Sequence, residues 1–420
     1  MLARPVEWAA PVRPAAPITR RAALSVALGC AALGRPARAA AAPAWQLRTL
    51  PLATPWLQVR AADAAWLGID RDGRLWRLDA QATAAPRALA DGLAADSPLA
   101  TGHGRVAARR VDGRLWVGGA DAGVSDVALA ETAGLLVLPL AVIGVAGQGL
   151  TAQLLRLEPD AGGRWQVSAR STEPVLPDAR PVQVDLDGRG DGGHLAVLAG
   201  PDRSRYPHAA LGDDIEATRV LWLERHGLQR LRALEVPAPM VLEHNQLQPC
   251  RISAAAAPGL LSVRSGPEGG QLLLIEADPA DRGALRVAAA GAPIGTRMRW
   301  MAPATDGQRI VAVHTPHIGG VLQRYRRDGS RLVPTRLLAG VSNHAFGSRE
   351  LDVSAWIDGR LVLPDATRRR LVVVDVEQGM VEAELALPAP VRQLAGQASG
   401  RAVACLDEAG VLHLLQRGRA

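Results

Sequence analysis

Short apolar runs that alternate with polar residues, and that are separated by Gly, Asp and Pro, extend from Trp45 towards the end of the chain. Such runs are typical of β-strands, whereas helical periodicity with end caps is almost absent after residue 45. The pattern predicts strands at residues 106–109, 154–157, 194–198, 220–224, 272–275, 310–313, 361–363 and 371–376. We therefore predict an all-β protein.

The tetrapeptide Asp-Gly-Arg-Leu occurs at residues 72–75, 112–115 and 358–361, and looser versions occur at 328–332 and 408–412. Asp-Gly between alternating segments predicts a tight hairpin, because Gly accepts the positive φ that such a turn needs. Hairpins at a spacing of about 40 residues indicate a radial repeat of four-stranded blades. With about 45–55 residues per blade, we predict a single β-propeller of seven blades over residues 40–420.

Two segments of the chain resemble each other. Pro207-His208 and Pro316-His317, which are 109 residues apart, each precede an apolar strand, a turn and a returning strand. This spacing predicts that the two Pro-His pairs occupy equivalent positions in blades two places apart. Equivalent positions are related by rotation about the ring axis, so both histidines should lie on the same face of the ring.

The first 39 residues have the layout of an export signal. Thr19-Arg20-Arg21 resembles the twin-arginine motif, an apolar stretch follows over residues 22–33, and Ala37-Arg38-Ala39 fits a cleavage site. We predict cleavage after Ala39, export by the twin-arginine pathway and a periplasmic mature protein with no transmembrane segment. Lipidation at Cys30 is the disfavoured alternative, because the residue three positions before it is not the preferred Leu.

Charge excludes one class of partner. The formal net charge of +7 falls to about +2 once residues 1–39 are removed, so the mature chain lacks the basic stripe that nucleic acid requires. All basic residues are arginines, which we attribute to compositional bias, and individual surface arginines therefore carry little weight. Cys250 and Cys405 remain after cleavage, and the sequence leaves open whether they form a disulfide.

Residues 184–198 resemble an FG-GAP/VCBS repeat, in which an acidic loop between two strands binds calcium and repeats close into an integrin-like propeller. Asp185 and Asp187 match the first two ligand positions, but Arg189 stands at the third, Gly193 takes the closing position and Asp191 lies between them. An arginine opposes a cation electrostatically. We therefore predict a degenerate loop and no cofactor, and calcium held by Asp185, Asp187 and Asp191 is the alternative.

Polar clusters in the connecting segments are the candidates for a site, because loops at one end of a propeller converge on the central channel. We predict a ligand-binding basin on one face, close to the axis, formed by His208, Asp214, Arg297, His317, Asn343, His344, Arg349 and Glu350. A role for these residues in locking neighbouring blades together is the structural alternative. Some of them could also supply a metal site or a general acid/base pair.

No zinc, phosphate-loop, dinucleotide or nucleophile-elbow spacing appears in the sequence. The hypothesis is therefore a monomeric periplasmic module that binds a polar small molecule or a periplasmic protein and has no assigned reaction. The alternative is a propeller enzyme, either a hydrolase or lyase acting on an envelope polymer or a cofactor-dependent dehydrogenase.

Overall fold

The computed structural model describes residues 45–188, 190, 193–253, 257–281 and 283–418. Within these residues the chain forms short antiparallel strands and two single-turn 3₁₀ helices, Gly149–Thr151 and Ala209–Leu211. The prediction of an all-β protein is confirmed. The predicted export signal and Asp191 lie outside the described residues.

The strands pair in groups of four, which we number as blades in chain order after the first strand, β1 (Trp45–Leu50). Blade 1 contains β2 (Trp56–Ala62), β3 (Ala65–Asp70), β4 (Leu75–Asp79) and β5 (Arg87–Ala90). Blade 2 contains β6 (Ala100–Gly102), β7 (Arg105–Arg109), β8 (Arg114–Gly118) and β9 (Gly123–Ala128). Blade 3 contains β10 (Leu136–Leu138), β11 (Ala141–Ala146), β12 (Gln153–Pro159) and β13 (Trp165–Arg170). Blade 4 contains β14 (Val182–Val184), β15 (His194–Asp202), β16 (Glu216–Leu223) and β17 (Arg230–Glu235).

The two-residue strand β18 (Val241–Leu242) pairs with both β16 and a strand of blade 5. Blade 5 contains β19 (Gln248–Cys250), β20 (Gly259–Ser265), β21 (Gln271–Ala277) and β22 (Leu285–Ala290). Blade 6 contains β23 (Met301–Thr305), β24 (Ile310–His314), β25 (Val321–Asp328) and β26 (Arg331–Ala339). Blade 7 contains β27 (Ala355–Ile357), β28 (Arg360–Pro364), β29 (Arg370–Asp375) and β30 (Met380–Ala386). Blade 8 contains β31 (Val391–Gly396), β32 (Ala402–Asp407), β33 (Leu412–Arg417) and β1.

The first strands of successive blades contact one another around a ring: β2 lies against β6 and β31, β6 against β10, and β19 against β14 and β23. β1 pairs with β33 along six residues and so joins the start of the described chain to the last blade. The architecture is a β-propeller, as the sequence predicted.

The described residues form eight blades, so the prediction of seven is wrong. Blade length is uneven. The first strands of blades 2 and 3 begin 36 residues apart, at Ala100 and Leu136, whereas those of blades 4 and 5 begin 66 residues apart, at Val182 and Gln248. Dividing the chain length by one assumed blade length therefore could not give the correct number of blades.

The Asp-Gly segments form the tight turns that the sequence predicted. Gly73, Gly113 and Gly359 have φ values of 74°, 83° and 72°, which a residue with a Cβ adopts only under strain. The turns differ in position, however. Gly73 and Gly113 join the second and third strands of blades 1 and 2, whereas Gly359 joins the first and second strands of blade 7. The tetrapeptide therefore marks a type of turn and no fixed position in the blade.

The core lies between neighbouring blades. The second strands β3 and β32 are buried at every residue, because the adjoining blades cover both of their faces. The outermost strands β17 and β30 alternate between exposed and half-buried positions. Buried strands accordingly appear in the sequence as continuous apolar runs, and outer strands appear as alternating ones. Cys250 and Cys405 are buried free thiols in blades 5 and 8.

The antiparallel order of the strands fixes which connections share an end of the ring. Turns between second and third strands lie at the same end as the connections from one blade to the next. We call this end the upper face, and it includes residues 203–215, 315–320 and 340–354. The other end, the lower face, carries the turns between first and second strands, which include residues 63–64, 103–104 and 358–359. No helix among the described residues has the length and hydrophobicity to cross a membrane.

Candidate functional site

The two Pro-His pairs occupy equivalent positions. His208 lies between β15 and β16, the second and third strands of blade 4, and His317 lies between β24 and β25, the same strands of blade 6. This confirms the internal alignment made from the sequence and places both histidines on the upper face. Three blade-to-blade connections on that face bring further polar residues beside them, at 178–180, 243–245 and 343–352. We call these residues, with His208 and His317, the upper-face assembly.

Three groups form a hydrogen-bonded chain within the assembly. His344 Nε2 donates to the Ser348 carbonyl oxygen at 2.8 Å, so the Nδ1 atom of the neutral ring accepts a hydrogen bond from His317 Nε2–H. Burial lowers the pKa of His344 to about 4, and burial together with the charge of His208 lowers that of His317. Both rings are therefore neutral at pH 7. The Nδ1 atom of His317 is left as a hydrogen-bond acceptor.

Aromatic rings hold this chain in place. The Trp300 ring lies edge-on to His344, with centroids 5.2 Å apart, and its Nε1 atom donates to the Glu243 carbonyl oxygen at 2.7 Å. Phe346 lies edge-on to His317 at 5.4 Å, although 76% of Phe346 is exposed. The histidines therefore sit between a buried indole and an exposed phenyl ring.

A carboxylate–histidine pair lies next to the chain. Glu243 is fully buried, and its Oε1 atom accepts a hydrogen bond from His208 Nδ1. Burial and the charge of Glu243 raise the pKa of the neighbouring Glu216 well above its usual range. A raised pKa is expected for a carboxyl group that shares a buried site with a second one, so Glu216 favours its protonated form.

The Asn245 side chain forms hydrogen bonds to two other blade-to-blade connections, those that contain Asp178 and Arg349. Its Nδ2 atom donates to Asp178 Oδ2 at 3.2 Å and to the Arg349 carbonyl oxygen at 3.1 Å. Burial and the charge of Asp213 raise the pKa of Asp178 to about 6. The Arg349 guanidinium lies 3.5 Å from Asp213, which extends the network towards solvent.

An ion pair between Arg180 and Glu350, 2.9 Å apart, lies at the upper end of the central channel. Burial raises the pKa of Glu350, but the charge and hydrogen bonds of Arg180 outweigh this, and the pKa lies below its usual value. Burial raises the pKa of nearby Asp352 to about 6. Asp352 accepts hydrogen bonds from Asn343 and Ser354.

The channel itself is a cavity of about 1620 Å³. Arg180, His244, Glu350 and Asp352 line its upper end, and Asp63, His103, Asp358 and Arg401 line its lower end. Residues of the first strands, such as Arg60 of β2 and Gln248 of β19, form the wall between the two ends. The cavity is large enough for an organic ligand, since typical ligand sites enclose roughly 300–1,000 Å³.

The structure brings most of the predicted site residues together. His317, Asn343, His344, Arg349 and Glu350 belong to the upper-face assembly, and His208 joins it through Glu243. Two predicted residues lie on the same face but outside the network. Exposed Asp214 is 3.4 Å from Arg203, and Arg297 lies 5.8 Å above the Tyr206 ring.

Sequence reasoning missed the neighbouring Glu216 and several members of the assembly: Asp178, Arg180, Glu243, His244, Asn245 and Asp352. One indication was present, because Glu243-His244-Asn245 follows the apolar pair Val241-Leu242 without a turn residue between them. A polar triplet in that position predicts buried polar groups. The others have no comparable local pattern.

The predicted calcium loop lies between β14 and β15, on the lower face and away from the assembly. The Asp185 carboxylate accepts a hydrogen bond from the backbone N–H of Gly190 at 2.9 Å, as in a loop that is held by its own backbone. In the described part of the chain, no group of three or more His, Cys, Asp or Glu residues is placed to hold a metal ion. Calcium binding by this loop stays untested.

Comparison with solved structures shows the same fold at low sequence identity. BamB from Moraxella catarrhalis matches with a TM-score of 0.54 and 12% identity, covering 88% of this chain and 96% of that chain. Sqt1 of Saccharomyces cerevisiae matches with a TM-score of 0.58 and 8% identity, covering 89% and 99%. The Dos1 propeller matches with a TM-score of 0.57 and 10% identity, covering 90% and 95%. No family model and no curated protein matches the chain.

Proposed function

We propose that this chain is an exported propeller that binds a polar ligand at the upper-face assembly and catalyses no reaction. One observation carries the proposal: three connections that are distant in sequence bring buried histidines, carboxyl groups and amides to one end of the channel. Perturbed titratable groups that gather at the mouth of a cavity are characteristic of binding and catalytic sites.

The assembly is incompletely satisfied by the protein alone. Four of its buried side-chain atoms lack a hydrogen-bond partner among the described residues: Glu243 Oε2, His244 Nε2, Asn245 Oδ1 and Asn343 Oδ1. A buried polar network that is only partly satisfied costs stability, so blade locking alone would favour apolar residues here. A ligand with hydroxyl, amide or amine groups would supply the missing partners.

Exposed apolar side chains border the assembly. Phe346 and Ile318 are 76% and 59% exposed, and both lie next to His317 in space or in sequence. Together they offer a surface for the carbon skeleton of a ligand whose polar groups reach the histidines. A small molecule or a polar side chain of a periplasmic protein has this chemistry.

Export and periplasmic location are part of the proposal. They are supported by the twin-arginine pattern at residues 19–21 and the cleavage pattern at residues 37–39. The resemblance of residues 184–198 to the FG-GAP/VCBS repeat supports an exported propeller with a degenerate loop. All described strands, from Trp45 to Arg417, follow the predicted cleavage site.

The test uses the protein recovered from the periplasmic fraction of cells that express the full chain. We expect a mature N-terminus at Ala40 and a thermal-shift response to one class among sugars, amino acids, small organic acids and phosphates. The His317→Gln and Asn343→Ala variants should weaken binding of the responding compound at least tenfold, since both residues belong to the assembly. Titration calorimetry measures the affinities.

The matched control is His226→Gln, because His226 is an exposed histidine in a lower-face turn of blade 4. This variant should bind as the wild type does. Retention of the uncleaved chain in the cytoplasm would contradict export. A responding compound that binds both assembly variants at wild-type affinity would contradict the proposed site.

A second candidate function rests on the His208–Glu243 pair. A buried carboxylate that accepts from Nδ1 leaves Nε2 of the neutral imidazole unprotonated, as a general base requires. This arrangement favours a hydrolase or lyase over a redox enzyme. Turnover of chromogenic esters or glycosides that His208→Asn abolishes, with the fold intact, would favour this function over binding alone.

A further inference from the structure

Amide side chains are concentrated in the wall of the central channel. The sequence contains nineteen Asn and Gln residues, and eight of them line the cavity, although lining residues make up only about a tenth of the chain. Asn245, Gln246 and Gln248 lie at the upper end of the cavity, and Gln393 of β31 lies in its wall. Composition does not explain this enrichment, because amides are rare in the rest of the chain.

Four buried polar atoms in residues of this wall lack a hydrogen-bond partner among the described residues. They are His244 Nε2, Asn245 Oδ1, Gln248 Oε1 and Trp356 Nε1, and all four residues line the cavity. A buried polar group without a partner costs stability, so native proteins satisfy nearly all such groups with protein, water or ligand atoms. Four such atoms around one cavity therefore point to a molecule that fills it.

The neighbouring hydrogen bonds determine which of these atoms donate and which accept. His244 Nδ1 accepts a hydrogen bond from the backbone N–H of Gln246 at 2.9 Å, so Nε2 carries the proton of the neutral ring and is a donor. The amide nitrogens of Asn245 and Gln248 donate to other groups of the protein, so their oxygens are left as acceptors. The indole Nε1 of Trp356 is a donor only. The wall therefore offers two donors and two acceptors.

The upper end of the channel carries no excess charge at pH 7. Arg60 and Arg180 supply two positive charges there, and Glu350 and Asp352 supply two negative ones. Glu350 pairs with Arg180 at 2.9 Å, and the pKa of Asp352, although raised by burial to about 6, leaves its carboxyl group mostly ionised. Burial lowers the pKa of His244 to about 3, so this ring is neutral. A ligand at this end therefore needs hydrogen-bonding groups and no net charge.

We propose that the channel binds a neutral carbohydrate, whose hydroxyl groups exchange hydrogen bonds with His244, Asn245, Gln248 and the amides near them. This inference rests on the proposed binding function and names the class of its ligand. A sugar hydroxyl both donates and accepts, so one hydroxyl can join a donor such as His244 Nε2–H to an acceptor such as Asn245 Oδ1. A peptide group carries these two functions on separate atoms, so it matches neighbouring donors and acceptors less well.

Further amides extend the site along the channel. Gln393 Oε1 accepts a hydrogen bond from the Val59 backbone N–H at 2.8 Å, and its Nε2 atom donates to none of the described residues. The half-buried Gln246 side chain likewise has no hydrogen bond within the described part of the chain. Gln81 of blade 1 and Gln416 of blade 8 line the lower end. The cavity of about 1620 Å³ exceeds the roughly 300–1,000 Å³ of a typical ligand site, so several sugar units fit.

Titration calorimetry on the mature protein tests the site with maltotriose and chitotriose, two neutral trisaccharides, and with a blocked trialanine peptide. We expect at least one trisaccharide to bind about tenfold or more tightly than its monosaccharide, because a longer ligand contacts more of the channel. Its affinity should stay the same as sodium chloride is raised, since the ligand carries no charge to be screened. His244→Phe keeps the ring but removes the buried donor, and it should weaken binding about tenfold. Gln246→Leu should weaken it about threefold to tenfold.

The matched control is Gln378→Leu, because Gln378 is exposed in the turn between β29 and β30 and does not line the cavity. Circular dichroism confirms that each variant folds, and should His244→Phe not fold, Gln246→Leu alone decides. The carbohydrate site is overturned if neither trisaccharide binds, which would leave the channel to water, or if the peptide binds more tightly. Equal affinities in the wild type and the folded channel variants overturn it as well. The binding function would still stand if another compound bound in a manner that depended on His317, so the two failures are distinguishable.

Discussion

Removing residues 45–50 from the mature chain is expected to abolish cooperative folding of the ring. These residues form β1, which supplies the fourth strand of blade 8 and pairs with β33 from Trp45 to Leu50. Its loss exposes the edge of β33 and uncovers the core that Leu50 enters, where that side chain is 4% exposed. The expected loss is at least about 5 kcal/mol, a large share of the stability of an ordinary domain.

Chemical denaturation followed by circular dichroism measures this loss. The control is a chain that begins at Trp45, which keeps β1 and should unfold at the same denaturant concentration as the mature protein. A single substitution gives a graded version: Leu50→Ala should cost about 2–3 kcal/mol, since it leaves a cavity between blades 8 and 1. Cooperative unfolding of the chain without β1 at wild-type denaturant concentrations would disprove closure of the ring by this strand.

Replacing Asp178 by Asn is expected to stabilise the protein by about 2 kcal/mol at pH 7.5. The pKa of Asp178 is raised to about 6 in the folded protein, mainly by burial and by Asp213. A carboxyl group whose pKa is higher in the folded state than in the unfolded state stabilises the folded state. This stabilisation is complete only below the unfolded pKa of about 3.9, and it is lost as the pH rises through 6. Asn removes the ionisation, and its side-chain oxygen can still accept from Asn245.

The gain should therefore depend on pH. We expect the variant to gain about 2 kcal/mol in its free energy of unfolding at pH 7.5 and less than about 0.5 kcal/mol at pH 4. At pH 4 the side chain of residue 178 is neutral in the folded wild type and in the folded variant. Urea denaturation at the two pH values measures the difference. Asp96→Asn is the control, because Asp96 is an exposed carboxylate on the same face. A destabilised Asp178→Asn variant at pH 7.5 would show that the ionised carboxylate is needed for folding.

The fold could be predicted because its determinants are local. Alternating and continuous apolar runs mark outer and buried strands, and Asp-Gly marks tight turns, so a ring of hairpins follows from neighbouring residues alone. The number of blades could not be predicted in the same way. Connections such as residues 203–215 and 340–354 lengthen some blades. The length of these connections depends more on the polar residues that they place on the upper face than on the geometry of the strands.

The candidate site could be predicted only in part, and for a related reason. The two Pro-His pairs could be aligned because the repeat carries them to equivalent positions. Arg180 and Glu350, by contrast, are 170 residues apart, and no local pattern relates two connections that meet only when the ring closes. Arg60 could not be identified from the sequence, because all 48 basic residues are arginines and this excess was attributed to compositional bias. Only the structure shows that Arg60 lines the channel.

The account depends most on the claim that distant connections build one buried site on the upper face. Nitrogen-15 NMR of the histidine rings in the mature protein, assigned with the His344→Gln and His244→Gln variants, tests this claim most directly. At pH 6 we expect His344 and His244 to be neutral, with the proton on Nε2 in both rings. A ligand of the assembly should shift His317 and leave His226 unchanged. Protonated His344 and His244 rings at pH 6 would contradict the account.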